Sequence, residues 1–301
     1  MNINSDNSTT ATPTTDWHIK TGKLSFRVNN DYLFRALLQS SNHVLKALIA
    51  SLLHWDISDI KSAEIQNPVE LGQTIDSRKY YLDIKVFLNN SRIMNLEMQI
   101  INEHNWPERS LSYLCRTFDN LNKGEDYLQV MPAHQIGITE FSPLPESSEF
   151  HATYQLLNIR SYEKYTDKFT LSVVDLTQVD KATEEDKKYQ MDQWALMFKA
   201  TTWEDLNMLA TQNPAIDEAV TQIYKLTQEE KIRLQMEARE EYYRNERTNQ
   251  RLLEIANEKL KQATEKLEQA NAEKEQAKAE KEQANTRIAE LEAKLKAAGL
   301  E

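Results

Sequence analysis

Between Ile84 and Ile100 most of the apolar residues fall on even-numbered positions: Ile84, Val86 and Leu88, then Met94, Leu96, Met98 and Ile100. A period of two is the signature of a strand with one buried face. The polar Asn89-Asn90-Ser91 between the two runs predicts a hairpin over residues 80–100 with a three-residue loop. For both apolar sets to share one face, Leu88 must pair with Arg92, and the same register carried down the hairpin pairs Asp83 with Glu97. The two carboxylates then share the polar face with Cβ atoms roughly 4.5–5.5 Å apart, close enough for both to reach one hard divalent cation. Gln99 follows two residues on, on the same face. The alternation equally fits a plain hairpin whose polar face is solvated.

The flanking patterns are helical and extended in turn. Asn30-Asp31 followed by Leu33, Phe34, Leu37 and Leu38 predicts a capped helix, and Ser41-Asn42 followed by Val44, Leu45, Leu48, Ile49, Leu52 and Leu53 a second. A strand is predicted over Ile60–Ile65, closed by Asn67-Pro68. Trp106-Pro107 opens a helix with Leu111, Leu114, Cys115 and Phe118 on one face and Gly124 as its stop. Further strands are predicted over His134–Phe141, 150–159 and 169–177. This order predicts an α/β fold, a mixed sheet flanked by helices. Residues 188–250 read as a helical module that packs through Trp194, Leu196, Met197, Trp203 and Tyr224.

From Leu253 onward the period becomes seven. Leu253, Leu260, Leu267, Lys274, Lys281, Ile288 and Leu295 form one seam, and Ala256, Ala263, Ala270, Ala277, Ala284, Leu291 and Ala298 the other. This is coiled-coil spacing, over a rod of about 69 Å at ~1.5 Å per residue. Two seam lysines and a mostly alanine second seam predict weak pairing in the middle; a solvated single helix is the alternative reading.

Composition narrows the class. A single cysteine, Cys115, cannot form an internal disulfide, no apolar run is long enough to span a membrane, and residues 1–16 are a Ser/Thr/Asn-rich leader expected to be disordered. A soluble protein of the reducing cytoplasm is expected, with no membrane partner. The six histidines show no repeated ligand spacing in sequence, and no glycine-rich phosphate loop is present. The net charge of −11 is unevenly spread. Residues 17–138 carry 13 Lys/Arg and 13 Asp/Glu, whereas 139–230 carry 8 against 17. Any nucleic-acid affinity must come from clustered side chains and should be weak and salt-sensitive.

The stretch from Asn30 to Glu140 resembles the Rpn family of recombination-promoting nucleases and transposase-like proteins, a branch of the PD-(D/E)XK nuclease superfamily. The matching segments, in order, are Asn30-Asp31-Tyr-Leu-Phe34, Ile65-Gln-Asn-Pro68, Leu82-Asp83-Ile84, Asn95-Leu-Glu97-Met-Gln99, Arg109-Ser-Leu-Ser-Tyr113 and Lys123-Gly-Glu-Asp-Tyr127. The resemblance implies a restriction-endonuclease-like fold and makes Asp83 and Glu97 the metal-binding acids. It sets Gln99 where most of the superfamily has lysine, and makes Asp31 an accessory acid, for which a helix-cap or first-turn acid is the structural alternative. A cation held by two carboxylates can activate water and stabilise charge on a scissile phosphate, but Gln99 cannot supply a positive charge. Arg109, Tyr113 and Arg116 are spaced to share adjoining parts of a helix surface and are expected to contact DNA; Arg78 and Lys79 could approach a backbone.

The expectation is therefore a Mg²⁺-dependent DNA endonuclease, a phosphodiester hydrolase acting in recombination or mobile-element processes. Its parts would be the leader, a nuclease-like domain over 17–187, a helical module over 188–250 and a coiled coil over 251–301 that self-associates. The alternatives are an inactive nuclease fold that recruits partners through its coiled coil, and an RNA target.

Overall fold

The structure, a computed structural model, describes residues 17–68, 83–144, 146 and 149–297. The leader, Arg78, Lys79, Tyr80 to Leu82 of the expected strand and Ala298 of the heptad lie outside the described residues.

Asn30 caps the first helix, α1 (Asp31–Ser40), by accepting from the backbone N–H groups of Tyr32 and Leu33, and Ser41 caps α2 (Asn42–Leu53) through Val44 N–H. Strand β1 covers Ala63–Ile65, shorter than expected because Ile57–Asp59 forms a 3-10 turn that runs into Ile60. The hairpin strands are β2 (Ile84–Leu88) and β3 (Arg92–Gln99). Asn89 and Asn90 both adopt positive φ, 50° and 51°, a conformation asparagine tolerates better than other residues with a Cβ. The Asn89 side chain also accepts from Lys61 N–H and donates to Asp59 carbonyl, tying the turn to the approach to β1.

The remaining elements are α3 (Trp106–Phe118), β4 (Ala133–Thr139), β5 (His151–Gln155), β6 (Phe169–Asp175), α4 (Glu184–Lys188), α5 (Met191–Lys199), α6 (Trp203–Gln212), α7 (Pro214–Gln228) and α8 (Glu230–Ala297). Helix α3 ends at Phe118, before Gly124; that glycine instead takes φ 99° in the following turn. The strands form one mixed six-stranded sheet in the order β1-β2-β3-β4-β6-β5. The β1-β2-β3 pairs are antiparallel, β3-β4 and β4-β6 parallel, and β5-β6 antiparallel.

The hairpin register is the expected one: Leu88 opposite Arg92 and Ile84 opposite Leu96. Ile84, Val86, Leu88, Met94, Leu96 and Met98 are all buried in the main core, together with α1, α2 and the helices that follow β6. Helices α5 to α7 do not build a core of their own. Met197, Phe198, Leu206, Ile216 and Ile223 join the same buried cluster as Phe34 and Leu48, while Leu196 faces solvent. The chain divides into two compact units, one ending at Tyr243 and one beginning at Arg244. In the second unit every residue from 251 to 297 is exposed, including the seam residues Leu253, Leu260 and Leu267.

The second face of the sheet carries the site. It is covered by α3, whose buried stripe is Trp106, Ser110, Leu114 and Thr117 rather than the expected Leu111, Leu114, Cys115 and Phe118; Leu111 and Cys115 are exposed. Ser110 and Thr117 can be buried because each hydroxyl donates to a carbonyl of its own helix, Pro107 at 3.2 Å and Tyr113 at 2.9 Å.

Candidate active site

Residue 83 precedes β2, and the observed register carried one step beyond Ile84–Leu96 sets Asp83 beside Glu97 on the α3 side of the sheet. The expectation that this polar face meets solvent fails for Glu97, which is only 3% exposed. Glycine explains how α3 comes so close. Glu97 pairs across β4 with Gly137, and a Cβ there would stand 2.1 Å from the Trp106 ring. The absent side chain admits the indole, and the indole seats the start of α3 over the strand.

Asp83 is held by its backbone. Its carbonyl accepts from Arg35 Nη1 at 2.5 Å and from Asn67 Nδ2 at 3.0 Å, while Asn67 Oδ1 accepts from Lys85 N–H. Arg35 is fully buried in α1 and also donates to Gln39 and to the Asn67 carbonyl. It is a lone cation inside the apolar run Leu33-Phe34-Arg35-Ala36-Leu37-Leu38, the one sequence signal that could have singled it out.

With the backbone pinned, the Asp83 carboxylate faces the cleft. Its Oδ1 is buried without a hydrogen-bond partner, and so is Oε2 of Glu97. Burial raises the Asp83 pKa, partly offset by its own backbone N–H, Arg35, Asn95 and Arg109. Glu97 is pushed up to about 7, first by burial and then by the Asp83 charge, against the opposing pull of Arg109. Two acids whose ionisation burial makes costly, each with an oxygen left over, suit a bound cation. The donor set is all oxygen, which fits Mg²⁺.

Arg109 is not free for DNA in this arrangement. Its Nη2 lies 2.7 Å from Glu97 Oε1, its Nη1 3.2 Å from Glu103, and its guanidinium stacks 5.5 Å from the Tyr113 ring. Burial alone would lower its pKa, but Glu97, Tyr113 and Glu103 raise it, so the cation stays charged beside the acids. Tyr113 and the exposed Arg116 line a cleft of about 290 Å³ together with Asn67, Asp83, Lys85, Asn95 and Thr117. Lys85 lies two residues after Asp83 on the same strand face, opposite Asn95. The alternation that selected Asp83 also selects Lys85. Gln99, at the far end of β3, donates from Nε2 to the Ile101 carbonyl at 3.0 Å.

Asp31 is a first-turn acid of α1, its Oδ1 accepting from the Tyr32 backbone N–H at 2.8 Å, and it is also paired. Asn30 caps the helix, and the Asp31 carboxylate receives Arg239 of α8 on both oxygens, through Nε at 3.0 Å and through Nη2. Arg239 in turn stacks on Tyr242, whose hydroxyl donates to Glu103 at 3.2 Å. Contacts therefore run from Asp31 through Arg239, Tyr242, Glu103 and Arg109 to Glu97. Arg239 and Tyr242 carry no local signal, since their partners lie 208 and 139 residues away in sequence.

A mixed six-stranded sheet flanked by helices is an α/β architecture consistent with a restriction-endonuclease-like fold. The sequence matches the PD-(D/E)XK nuclease family transposases over residues 28–251, most of its length, and the chain belongs to that family. No match is found among curated proteins or among solved structures. Among the described residues no helix is long and apolar enough to cross a membrane.

Proposed function

We propose that this protein is a cytoplasmic, Mg²⁺-dependent DNA endonuclease acting in recombination or mobile-element processes. The observation that carries the reading is the pair of buried, partnerless carboxylate oxygens on Asp83 and Glu97. These two residues would hold the cation, which supplies activation of water and neutralisation of charge on the scissile phosphate. Around them, Arg35 and Asn67 fix the Asp83 backbone, and Arg109 orients Glu97 while balancing its charge. Asp31 belongs to the positioning network. Arg116 and Tyr113 at the cleft are suited to a phosphate backbone, and because residues 17–138 have no net charge, binding should be weak and salt-sensitive. Metal-dependent nicking of a plasmid by the purified full-length chain tests the reading; absence of nicking under Mg²⁺ or Mn²⁺ favours an inactive platform that recruits partners, and cleavage of RNA alone moves the substrate class.

Lys85 would supply the positive charge that Gln99 cannot. Lys85→Ala should lower the nicking rate by roughly 100-fold, the scale of losing one electrostatic donor at a transition state, with Mg²⁺ affinity and thermal stability nearly unchanged. Gln99→Ala should slow it less. Single-turnover nicking at saturating Mg²⁺ separates the two, and equal effects would assign the charge elsewhere.

The exposed seams of residues 253–295 support self-association as a coiled coil. Alanine along one seam and the facing Lys274 and Lys281 leave little apolar area to hide, so association should be modest. Truncation near Gln250 should lower the oligomeric mass by light scattering and leave nicking per chain intact. Lys274→Leu with Lys281→Leu should tighten association and raise the melting temperature of the helix.

A further inference from the structure

The sequence spacing of the histidines predicts no metal site, but folding brings two of them to one carboxylate. His54 is the residue after α2, in the left-handed region at φ 54°. His151 opens β5, and Asp186 lies in α4. One ligand atom from each lies within 4.8 Å of the other two. Asp186 Oδ1 is 2.9 Å from His54 Nε2 and 3.5 Å from His151 Nδ1. We propose that His54, His151 and Asp186 form a binding site for a zinc-like transition-metal ion, distinct from the Asp83–Glu97 pair.

The arrangement has the features such a site requires. Ligand atoms ~2.0–2.2 Å from one tetrahedral ion stand roughly 3.3–3.6 Å apart, within the spread seen here, so small side-chain shifts suffice. Two imidazoles and one carboxylate select a borderline transition ion over Mg²⁺ or Ca²⁺, which favour all-oxygen sets. The carboxylate is preset: Asp186 Oδ2 accepts from the Thr183 backbone N–H and hydroxyl at 2.8 and 2.7 Å, which leaves Oδ1 to face both rings. Outside the ligand atoms, the Glu185 carboxylate lies 3.9 Å from His54 Nδ1, and the Tyr189 ring stacks on His54 at 5.3 Å; both are the kind of outer support that orients a ligating imidazole. The two histidine side chains keep 18% and 12% exposure, so an ion can enter and solvent can complete its coordination.

The site also lies on the other side of the sheet from the acids. His151 is in line with Val174, Ile138 and Met98, whereas Glu97 is in line with Gly137, Val173 and Ala152. A bound ion would join the end of α2, the edge strand β5 and α4. Its role would be to secure that edge.

The test uses the full-length chain without a histidine tag, stripped with chelator and titrated with Co²⁺ and then Zn²⁺ alone. The expected result is one Co²⁺ per chain giving the visible absorption of a low-coordinate site, which an ion at the all-oxygen Asp83–Glu97 pair does not give, bleached stoichiometrically by Zn²⁺, and a rise in melting temperature on Zn²⁺ binding. His54→Asn, chosen because asparagine tolerates the left-handed backbone, and His151→Gln should each weaken binding by at least the ~10–100-fold that loss of an outer-shell partner costs. Asp83→Asn should bind the ion as tightly as the unaltered chain. No saturable binding, or binding unchanged in both histidine variants while their folds are intact by circular dichroism, would overturn the proposal and leave a hydrogen-bonded histidine–aspartate cluster.

Discussion

Asp83→Asn and Glu97→Gln should each abolish Mg²⁺-dependent nicking while leaving the metal-free protein as stable as, or more stable than, the unaltered chain. The first half follows from removing half the negative charge of a two-carboxylate cation site. The second follows from the pKa shifts. An acid whose pKa is raised by folding binds its proton more tightly in the native state. Its contribution to stability is therefore greatest below the unfolded value of about 4.5, falls as pH rises toward about 7, and is level above that. At pH 8 an ionised Glu97 costs on the order of 3 kcal/mol in the absence of a cation, which a neutral amide avoids. Loss of activity with an unchanged or higher melting temperature is the mark of residues kept for chemistry. Nicking assays paired with thermal melts in chelator check both halves. Retained nicking in Asp83→Asn, with contaminating nuclease excluded, would remove the acids from the reaction, and a large fall in melting temperature for both variants would make the pair structural.

Arg239→Met should be the most destabilising single change in the network. It leaves the buried Asp31 carboxylate without its cation, and breaking a buried pair on one side costs about 3–5 kcal/mol. For a unit of this size that is a fall in melting temperature of roughly 6–20 °C. Adding Asp31→Leu should recover much of the loss, because replacing both charges by apolar groups removes the stranded one. Activity should not recover with stability. Arg239 also stacks on Tyr242, and Tyr242 holds Glu103 against Arg109. Melting curves and nicking rates on the single and double variants separate the two effects; full activity in the restored double variant would mean that this chain of contacts does not position Glu97.

The alternation around Ile84–Ile100 was enough to set the hairpin, its turn and its register, because a strand has only two faces and shifting by one residue would put Ile84, Val86, Leu88, Met94, Leu96 and Met98 on the wrong one. Helix caps at Asn30 and Ser41 and the seven-residue period after Leu253 are equally local facts. Periodicity says which residues share a face but not what covers it. Glu97 was readable as a site acid, yet its burial depends on α3, which reaches it only because Gly137 leaves room for Trp106. The apolar residues of α3 misled in the same way: Leu111 and Cys115 look like core by spacing, whereas Ser110 and Thr117 are the ones buried. The partners of the charges were beyond sequence altogether. Arg35 on the Asp83 backbone, Arg239 on Asp31 and the meeting of His54, His151 and Asp186 are contacts across tens to hundreds of residues. Each answers the same physical requirement, that a buried polar group find a partner, and only the folded chain decides which one is within reach.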